Sequence, residues 1–504
     1  MRRDRCLTRI VATVGPACDS PDALRRLLEA GVSAFRLNFS HGTPEAHAAT
    51  IARIRAVEVA TGIMVAILAD LPGPKVRIQG LASPVVLRRG EEVRIGHGGG
   101  SGAGPPVRLD CTYADLVADA EPGQRVLIDD GAVRLLALER VAGAAGPELS
   151  CTVIEGGTVL DRKGINLPDT EVRADPITPR DLAAIEAIAD AEVDFVAMSF
   201  VQRPEDLARL RAALAAAWSA RGRDDPPPAI VAKIERPTAV DRIGEIVKAC
   251  DAVMVARGDL GVEMDLAKVP IVQKRILEAA RAEGRPAIVA TQMLQSMIES
   301  PVPTRAEVTD VANAILDGAD AVMLSGETAM GKFAPLAVET LVKVAAEAEA
   351  FEAATAGITR PPESVRPARA AVGALAVGLS AMAGSLGVRH IAAWSPRGNT
   401  ATYLSRHRYS AAILALGTEP TVLRRMRLLR AVDPVLLARV PRDFTDLLEL
   451  AETALREVGG ARPGDLCLIA TGEPLPGTGE VTATLCTIAS PPAAPPAGDG
   501  GGAA

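Results

Sequence analysis

Along the first two thirds of the chain, short runs of β-branched and apolar residues alternate with stretches of roughly 10 to 20 residues in helical pattern, which predicts repeated βα units on a parallel sheet. Eight such runs stand between residues 7 and 330: RIVATVG at 9–15, SAFRLNFS at 33–40, VAILADL at 65–71, DFVAMSF at 194–200, AIVAKIE at 229–235, AVMVARGDL at 252–260, AIVATQM at 287–293 and AVMLSGE at 321–327. Eight strands close a (βα)8 barrel, whose active sites lie at the carboxyl ends of the strands. The rhythm breaks once, because about 120 residues separate the third run from the fourth where a βα connection leaves a loop of about 2–6. An inserted domain explains the gap. The segment 79–172 is β-rich, with Val126-Leu127-Ile128 and Val133-Arg134-Leu135 flanking an Asp129-Asp130-Gly131 hairpin signal. After about residue 350, Ala-rich helical patterns alternate with strands such as HIAAWS at 390–395 and DLCLIAT at 465–471. The expected organisation is barrel (1–78), insert (79–172), barrel again (173–348), an α/β domain (349–489) and a disordered tail (490–504) too poor in apolar residues to pack.

Composition narrows the function classes. The 504 residues are 48% hydrophobic and 23% charged, as in globular proteins, and 55 basic against 62 acidic side chains leave a net charge of −7. That balance argues against nucleic acid or anionic membrane as the main partner. No stretch reaches the roughly 20 apolar residues of a membrane span, and the Met1-Arg-Arg-Asp-Arg start leads into no signal-peptide core, so a cytoplasmic location is expected. Seven cysteines in no metal or CxxC spacing read as small buried hydrophobes. Only eight residues are lysine, which makes each lysine in a loop conspicuous.

Chemistry-bearing residues crowd the ends of the proposed strands: Arg36, Asn38, Ser40 and His41 after the second, Asp70 after the third, and Lys233 and Glu235 after the fifth. Arg257, Gly258 and Asp259 follow the sixth, Thr291 and Gln292 the seventh, and Ser325, Gly326 and Glu327 the eighth. Glu235 and Asp259 on adjacent strand ends suit a hard divalent cation such as magnesium or manganese. Arg36 and Lys233 supply fixed positive charge for a phosphoryl group or an enolate, and phosphoryl transfer is the reaction such a site suits. Gly326-Glu-Thr-Ala-Met-Gly331-Lys332 mimics a P-loop but carries Phe333 where Ser or Thr is needed for magnesium.

The motifs RLNFSHG at 36–42, GPKVR at 73–77, KGINLP at 163–168, AKIERP at 232–237, MVARGDLGVE at 254–263, ATQMLQSM at 290–297 and PTRAEVTDVANAILDGADAVMLSGETA at 303–329 resemble pyruvate kinase. The resemblance implies an α/β fold in which a TIM barrel carries an inserted β-barrel lid after strand 3 and a C-terminal α/β regulatory domain. It implies the glycolytic transfer of a phosphoryl group from phosphoenolpyruvate to ADP. Glu235 and Asp259 match its divalent-metal ligands, Lys233 the lysine acting on the transferring phosphoryl and enolate, and Arg36 the phosphate-holding arginine. Gly258, Asp259 and Thr291 match positions that bind the substrate carboxylate and support protonation. Arg77, the lid residue Lys163, Asn38 and His41 match nucleotide contacts. Potassium-using members hold that ion at the positions of Asn38, Ser40, Asp70 and Leu71 and carry glutamate where this chain has Lys75, so the lysine is expected to substitute for potassium. Ser395, Arg397, Gly398, Asn399 and Thr400 are similar to an effector-phosphate loop, and a homotetramer is the family expectation. Two other readings are a metal-dependent enolate-forming barrel enzyme and a non-catalytic metabolite-binding paralogue. Lys233 together with the lid lysine and the C-terminal domain speaks against the first, and the competence of every matched position against the second.

Overall fold

The computed structural model describes residues 6–143, 145–355, 370–475 and 481–489. The chain forms two units, one from Thr8 to Ala350 and the other from Phe351 onward together with the residues up to Leu7.

In the first unit eight parallel strands close a barrel: β1 (Arg9–Thr13), β2 (Ala34–Asn38), β3 (Ala66–Asp70), β4 (Phe195–Met198), β5 (Ala229–Ile234), β6 (Ala252–Ala256), β7 (Ala287–Ala290) and β8 (Ala321–Leu324). Each falls within one of the eight runs, and most of their residues are buried because helices cover the outside while side chains fill the inside. Five of the surrounding helices open on a proline in the first turn, at Pro21, Pro44, Pro179, Pro204 and Pro237, where its missing N–H costs nothing. The run at 252–260 does not stay extended. Its strand stops at Ala256, and Arg257–Glu263 turns into a helix that carries Asp259.

Between β3 and β4 lies the insert, a seven-stranded sheet in the order Ile165–Asn166, Arg125–Ile128, Val133–Gly143, Gly146–Glu155, Glu92–Gly96, Val107–Cys111 and Ile78–Gln79. Its two edges meet again through an Arg77–Gly164 bridge, with Ile78 N donating to Lys163 O at 2.9 Å, so the sheet curls around its own apolar core. Asp129 and Asp130 take φ of 54° and Gly131 of 84°, the left-handed turn that the Asp-Asp-Gly signal specifies.

The second unit contains a five-stranded sheet ordered Val432–Leu436, Ala412–Gly417, His390–Trp394, Leu466–Thr471 and Thr482–Thr487, parallel except for the last pair. Cys486, on that edge strand, departs from the buried-cysteine expectation and is half-buried, while the other six cysteines are buried and all are free. The tail expected at 490–504 lies outside the described residues. No helix among them is long and apolar enough to cross a membrane.

Candidate active site at the carboxyl ends of the barrel strands

Four charged side chains form a chain across the top of the barrel. Arg36 donates from Nε to Asp70 Oδ2 at 2.7 Å and from Nη1 to Thr13 Oγ1 at 3.2 Å. Lys233 Nζ lies 3.2 Å from Asp70 Oδ1 and 2.8 Å from Glu235 Oε1, and donates to Ser199 Oγ at 2.7 Å. Asp70 and Glu235 are each 2% exposed, so the cluster alternates two cations and two anions in a nearly dry setting. There a charge is tolerated only when paired. Burial alone would raise the pKa of Asp70, but Lys233 and Arg36 outweigh it and hold the carboxyl below its usual range. For Glu235 burial wins, helped by the Asp259 carboxylate and opposed by Lys233, and the pKa is pushed up to about 7. Burial would discharge Lys233, yet Asp70 and Glu235 more than offset it and keep the ammonium charged.

Burial is the main cause of the rise of Glu235, and the charge of Asp259, on the helix that follows β6, adds to it. Such a pair of oxygen donors fits a hard divalent cation. Among the described residues no group of three or more His, Cys, Asp or Glu forms a cage, so two carboxylates would be the chain's share and other positions are left to substrate oxygens and water, as magnesium prefers. Glu235 Oε2 accepts from Phe200 N at 2.8 Å, which aims the carboxylate.

Backbone strain gathers at the same place. Phe200, Thr291 and Gln292 take φ of 58°, 73° and 54°, a region that non-glycine residues avoid at a cost of about 1–3 kcal/mol each. Thr291 Oγ1 accepts from Gly258 N at 2.9 Å, and Arg257 Nη2 donates to Thr291 O at 2.8 Å while its Nη1 meets Asp310 at 2.7 Å. Thr291, Gly258 and Asp259 are thus brought together, with the Gly258 amide engaged by the threonine. Glu327, by contrast, is a structural residue. It is 1% exposed, and its carboxylate accepts Leu294 N and Ser325 N, tying the loops after β7 and β8. The P-loop mimic is broken up, since Gly326–Ala329 is a four-residue helix and Lys332 pairs with Glu299.

The remaining expected contacts lie around this centre. Arg77, just before the insert's first strand, donates from Nη1 to Arg162 O at 2.8 Å, and Lys163, on the insert, pairs with Asp129 at 2.8 Å. His41 is exposed, and its carbonyl takes a hydrogen bond from His47, whose ring stacks on Phe39 at 4.0 Å. At the positions matched to a monovalent cation, Asn38 Oδ1 accepts Ser40 N at 3.1 Å and Leu71 O accepts Ser199 Oγ at 2.7 Å. Lys75 is exposed, and a Cβ added at Gly164 would lie 3.5 Å from its Cε, so its stem follows the insert and Asp70 takes its ion pairs from Arg36 and Lys233.

Two participants were not among the expected site residues. Ser199, which receives Lys233 and donates to Leu71 O, is the next-to-last residue of the DFVAMSF run, and its place one residue beyond β4 was the available signal. Thr13 ends β1, between Arg36 and Leu324 O. In the second unit the 395–400 loop is closed on itself. Arg397 and Asn399 donate to Glu473 at 2.7 and 3.1 Å, Ser395 Oγ accepts Ala401 N at 3.1 Å, and Thr400 is 1% exposed. Glu473 is the residue sequence reasoning missed there.

Comparison with known proteins agrees with the motifs. A family model for the pyruvate kinase barrel domain matches residues 5–338, and one for the pyruvate kinase alpha/beta domain matches residues 373–486. The chain is 40% identical over 471 residues to a pyruvate kinase of Mycobacterium intracellulare, covering 93% of this chain and 95% of that one. It is 40% identical over 483 residues to a pyruvate kinase of Agrobacterium vitis, covering 94% of each. A crystal structure of a pyruvate kinase from Cryptosporidium parvum superposes with a TM-score of 0.87 at 32% identity, covering 97% of both chains.

Proposed function

Since the chain belongs to the pyruvate kinase family, and so transfers the phosphoryl group of phosphoenolpyruvate to ADP with release of pyruvate and ATP, we propose which of its residues carry that reaction. The observation that supports the assignment best is the buried Arg36–Asp70–Lys233–Glu235 alternation at the strand ends. Arg36 and Lys233 hold the phosphate of phosphoenolpyruvate, and Asp70, itself held in place by both cations, orients them. As the bond from the enol oxygen to phosphorus breaks and the phosphoryl group passes to the β-phosphate of ADP, negative charge grows on the enolate beside Lys233. A preorganised ammonium stabilises that charge without reorganisation. Thr291, whose hydroxyl accepts from Gly258 N and retains its own proton to donate, supports the carboxylate and the protonation of the enolate carbon. Arg77 and Lys163, with Asn38 and His41, contact the nucleotide, and the lid excludes the water that would compete as acceptor. The family uses a divalent metal. Glu235 and Asp259 would hold it here, and when bound it would neutralise phosphoryl and enolate charge.

The proposal extends to cation dependence. Leu71-Pro72-Gly73-Pro74-Lys75 replaces the segment that goes with potassium use, and a lysine at the mouth between barrel and lid adds positive charge that a glutamate would remove. The charge acts across the mouth rather than by contact with Asp70. ADP-dependent pyruvate release is expected to proceed in potassium-free buffer. Lys75→Glu is expected to lose at least about tenfold of it and to regain part on adding potassium. Strong potassium activation of the native protein would overturn this reading.

Regulation through the 395–400 loop is proposed in altered form, because Glu473 already accepts from Arg397 Nε and from Asn399 Nδ2. A phosphorylated effector competes with that carboxylate for both side chains. Glu473→Gln is therefore expected to lower, by about threefold or more, the concentration of sugar phosphate or nucleotide monophosphate that shifts substrate affinity. No response to either class in native protein and variant would leave the loop a turn. The assembly proposed is the family's homotetramer in the cytoplasm, with Leu266 and Ile271, 73% and 60% exposed, as apolar surface it would cover.

A further inference from the structure

The insert leaves and re-enters the barrel through two segments that run side by side, with Ile165 N donating to Val76 O at 2.9 Å. Beyond this seam the return segment rests on barrel residues that the reaction does not use. Arg236, 4% exposed, donates from Nη2 to Leu167 O at 2.6 Å and Thr170 O at 3.0 Å, and from Nη1 to Gln202 Oε1 at 3.2 Å. Gln202 Nε2 in turn donates to Val172 O at 3.0 Å. Glu263, 2% exposed, accepts from Asn166 Nδ2 at 2.9 Å and stands 3.6 Å from Arg236 Nε. Leu167 and Val172 belong to the apolar core of the insert, so a displacement of this segment moves the insert with it.

The barrel side of these contacts is attached to the proposed metal carboxylates. Arg236 follows Glu235 directly, Glu263 ends the helix that carries Asp259, and Gln202 lies two residues after Phe200, whose amide holds Glu235. Arg236 and Glu263 are poorly arranged as a stabilising ion pair, since Arg236 Nε and Glu263 Oε2 are buried without a hydrogen-bond partner. A buried pair in loose geometry does not repay its desolvation. Most of the close contacts of the two side chains go instead to the return segment, at the edge of a cleft that Lys75, Asn166, Phe200, Arg236 and Glu263 help to line.

We propose that Asn166, Glu263 and Arg236 are positioning residues that latch the lid's return segment to the end of β5 bearing Glu235 and to the helix after β6 bearing Asp259. Closure of the lid over the nucleotide is thereby set relative to the reacting groups. The inference rests on the reading that Lys163 brings a nucleotide contact from the lid.

The decisive experiment exchanges donor and acceptor. Asn166→Asp sets a carboxylate against Glu263, while the double variant Asn166→Asp, Glu263→Gln rebuilds one hydrogen bond with the same number of charges. The single variant is expected to lower kcat/KM for ADP at least about tenfold, the scale of misplacing a positioned reactant, with KM for phosphoenolpyruvate within about threefold. Amide hydrogen exchange of residues 163–172 is expected to accelerate, and the double variant to return both readouts to within about threefold of native. A folded single variant with native kinetics overturns the proposal, as does a double variant no better than the single. Faster exchange with native kinetics would locate the failure in the lid's nucleotide role, and unchanged exchange would locate it in the latch itself.

Discussion

Lys233→Met is expected to lower turnover at least about 100-fold, with KM for phosphoenolpyruvate changed far less, because the lost interaction strengthens as charge develops on the enolate and phosphoryl oxygens. Methionine retains the apolar stem and removes only the ammonium. The ammonium sits within 2.7–3.2 Å of Ser199, Glu235 and Asp70. Its pKa is raised, so it is charged throughout the neutral range and its loss is a full unit of charge at any working pH. Removing it also strips Asp70 and Glu235 of a common partner in a buried site, and breaking a buried pair costs about 3–5 kcal/mol. Arg36 still pairs with Asp70, and Glu235, already near about 7, relieves the rest by taking up a proton. The variant is thus expected to fold, to melt lower in chelator, and to recover part of the difference with magnesium. Steady-state kinetics at saturating magnesium, beside thermal melts with and without it, make the measurement. Turnover within about tenfold of native would remove Lys233 from the proposed chemistry.

The barrel was legible because its signal is redundant: eight apolar runs, six of them with charged or polar residues at their ends, hold their places even where one element changes character. Arg257–Glu263 is the case in point. The run AVMVARGDL gives no sign that its last four residues are helical, since Gly258 and the charged flanks carry weak preferences and the helix is held by Thr291 Oγ1 from the loop after β7 and by Asp310 from the helix Arg305–Leu316. The charged cluster was legible wherever a charged residue stood at a strand end, which is how Arg36, Asp70, Lys233 and Glu235 stood out as candidates. A part in such contacts was not legible for Ser199 beyond its place one residue past β4, because only the folded barrel brings Lys233 and Leu71 O to its hydroxyl. Nor was it legible for Glu473, more than seventy residues from Arg397 and Asn399 and joined to them by the pairing of the strands at 390–394 and 466–471. Glu327 shows the converse error, a carboxylate at a strand end that two backbone amides fully engage. Strand-end position alone cannot separate a ligand-facing carboxylate from one that staples loops.

Glu235→Gln is expected to raise the magnesium or manganese concentration for half-maximal activity at least about 30-fold, and to remove most activity at ordinary metal levels, since one of two proposed carboxylate ligands becomes a neutral amide. The pH dependence separates this from a general loss of activity. In the native protein burial, with Asp259, pushes Glu235 up to about 7. Below that pH the carboxyl is mostly protonated, and its proton has to leave before a cation can be bound. The half-activating metal concentration is therefore expected to rise about tenfold for each pH unit below about 7 and to level off above it, where the carboxylate is already ionised. Glutamine has no such proton, so the variant's curve is expected to be higher throughout and to lack this step. The single oxygen of glutamine can still take the Phe200 amide, which keeps the loop after β4 in place, while its NH2 then faces Lys233, which retains Asp70 and Ser199 as partners. Metal activation measured across pH 6–8 for both proteins, with direct manganese binding as a second readout, gives the answer. An unchanged activation curve in the variant, or the same pH step in both, would mean that Glu235 is not a metal ligand and that its raised pKa reports burial alone.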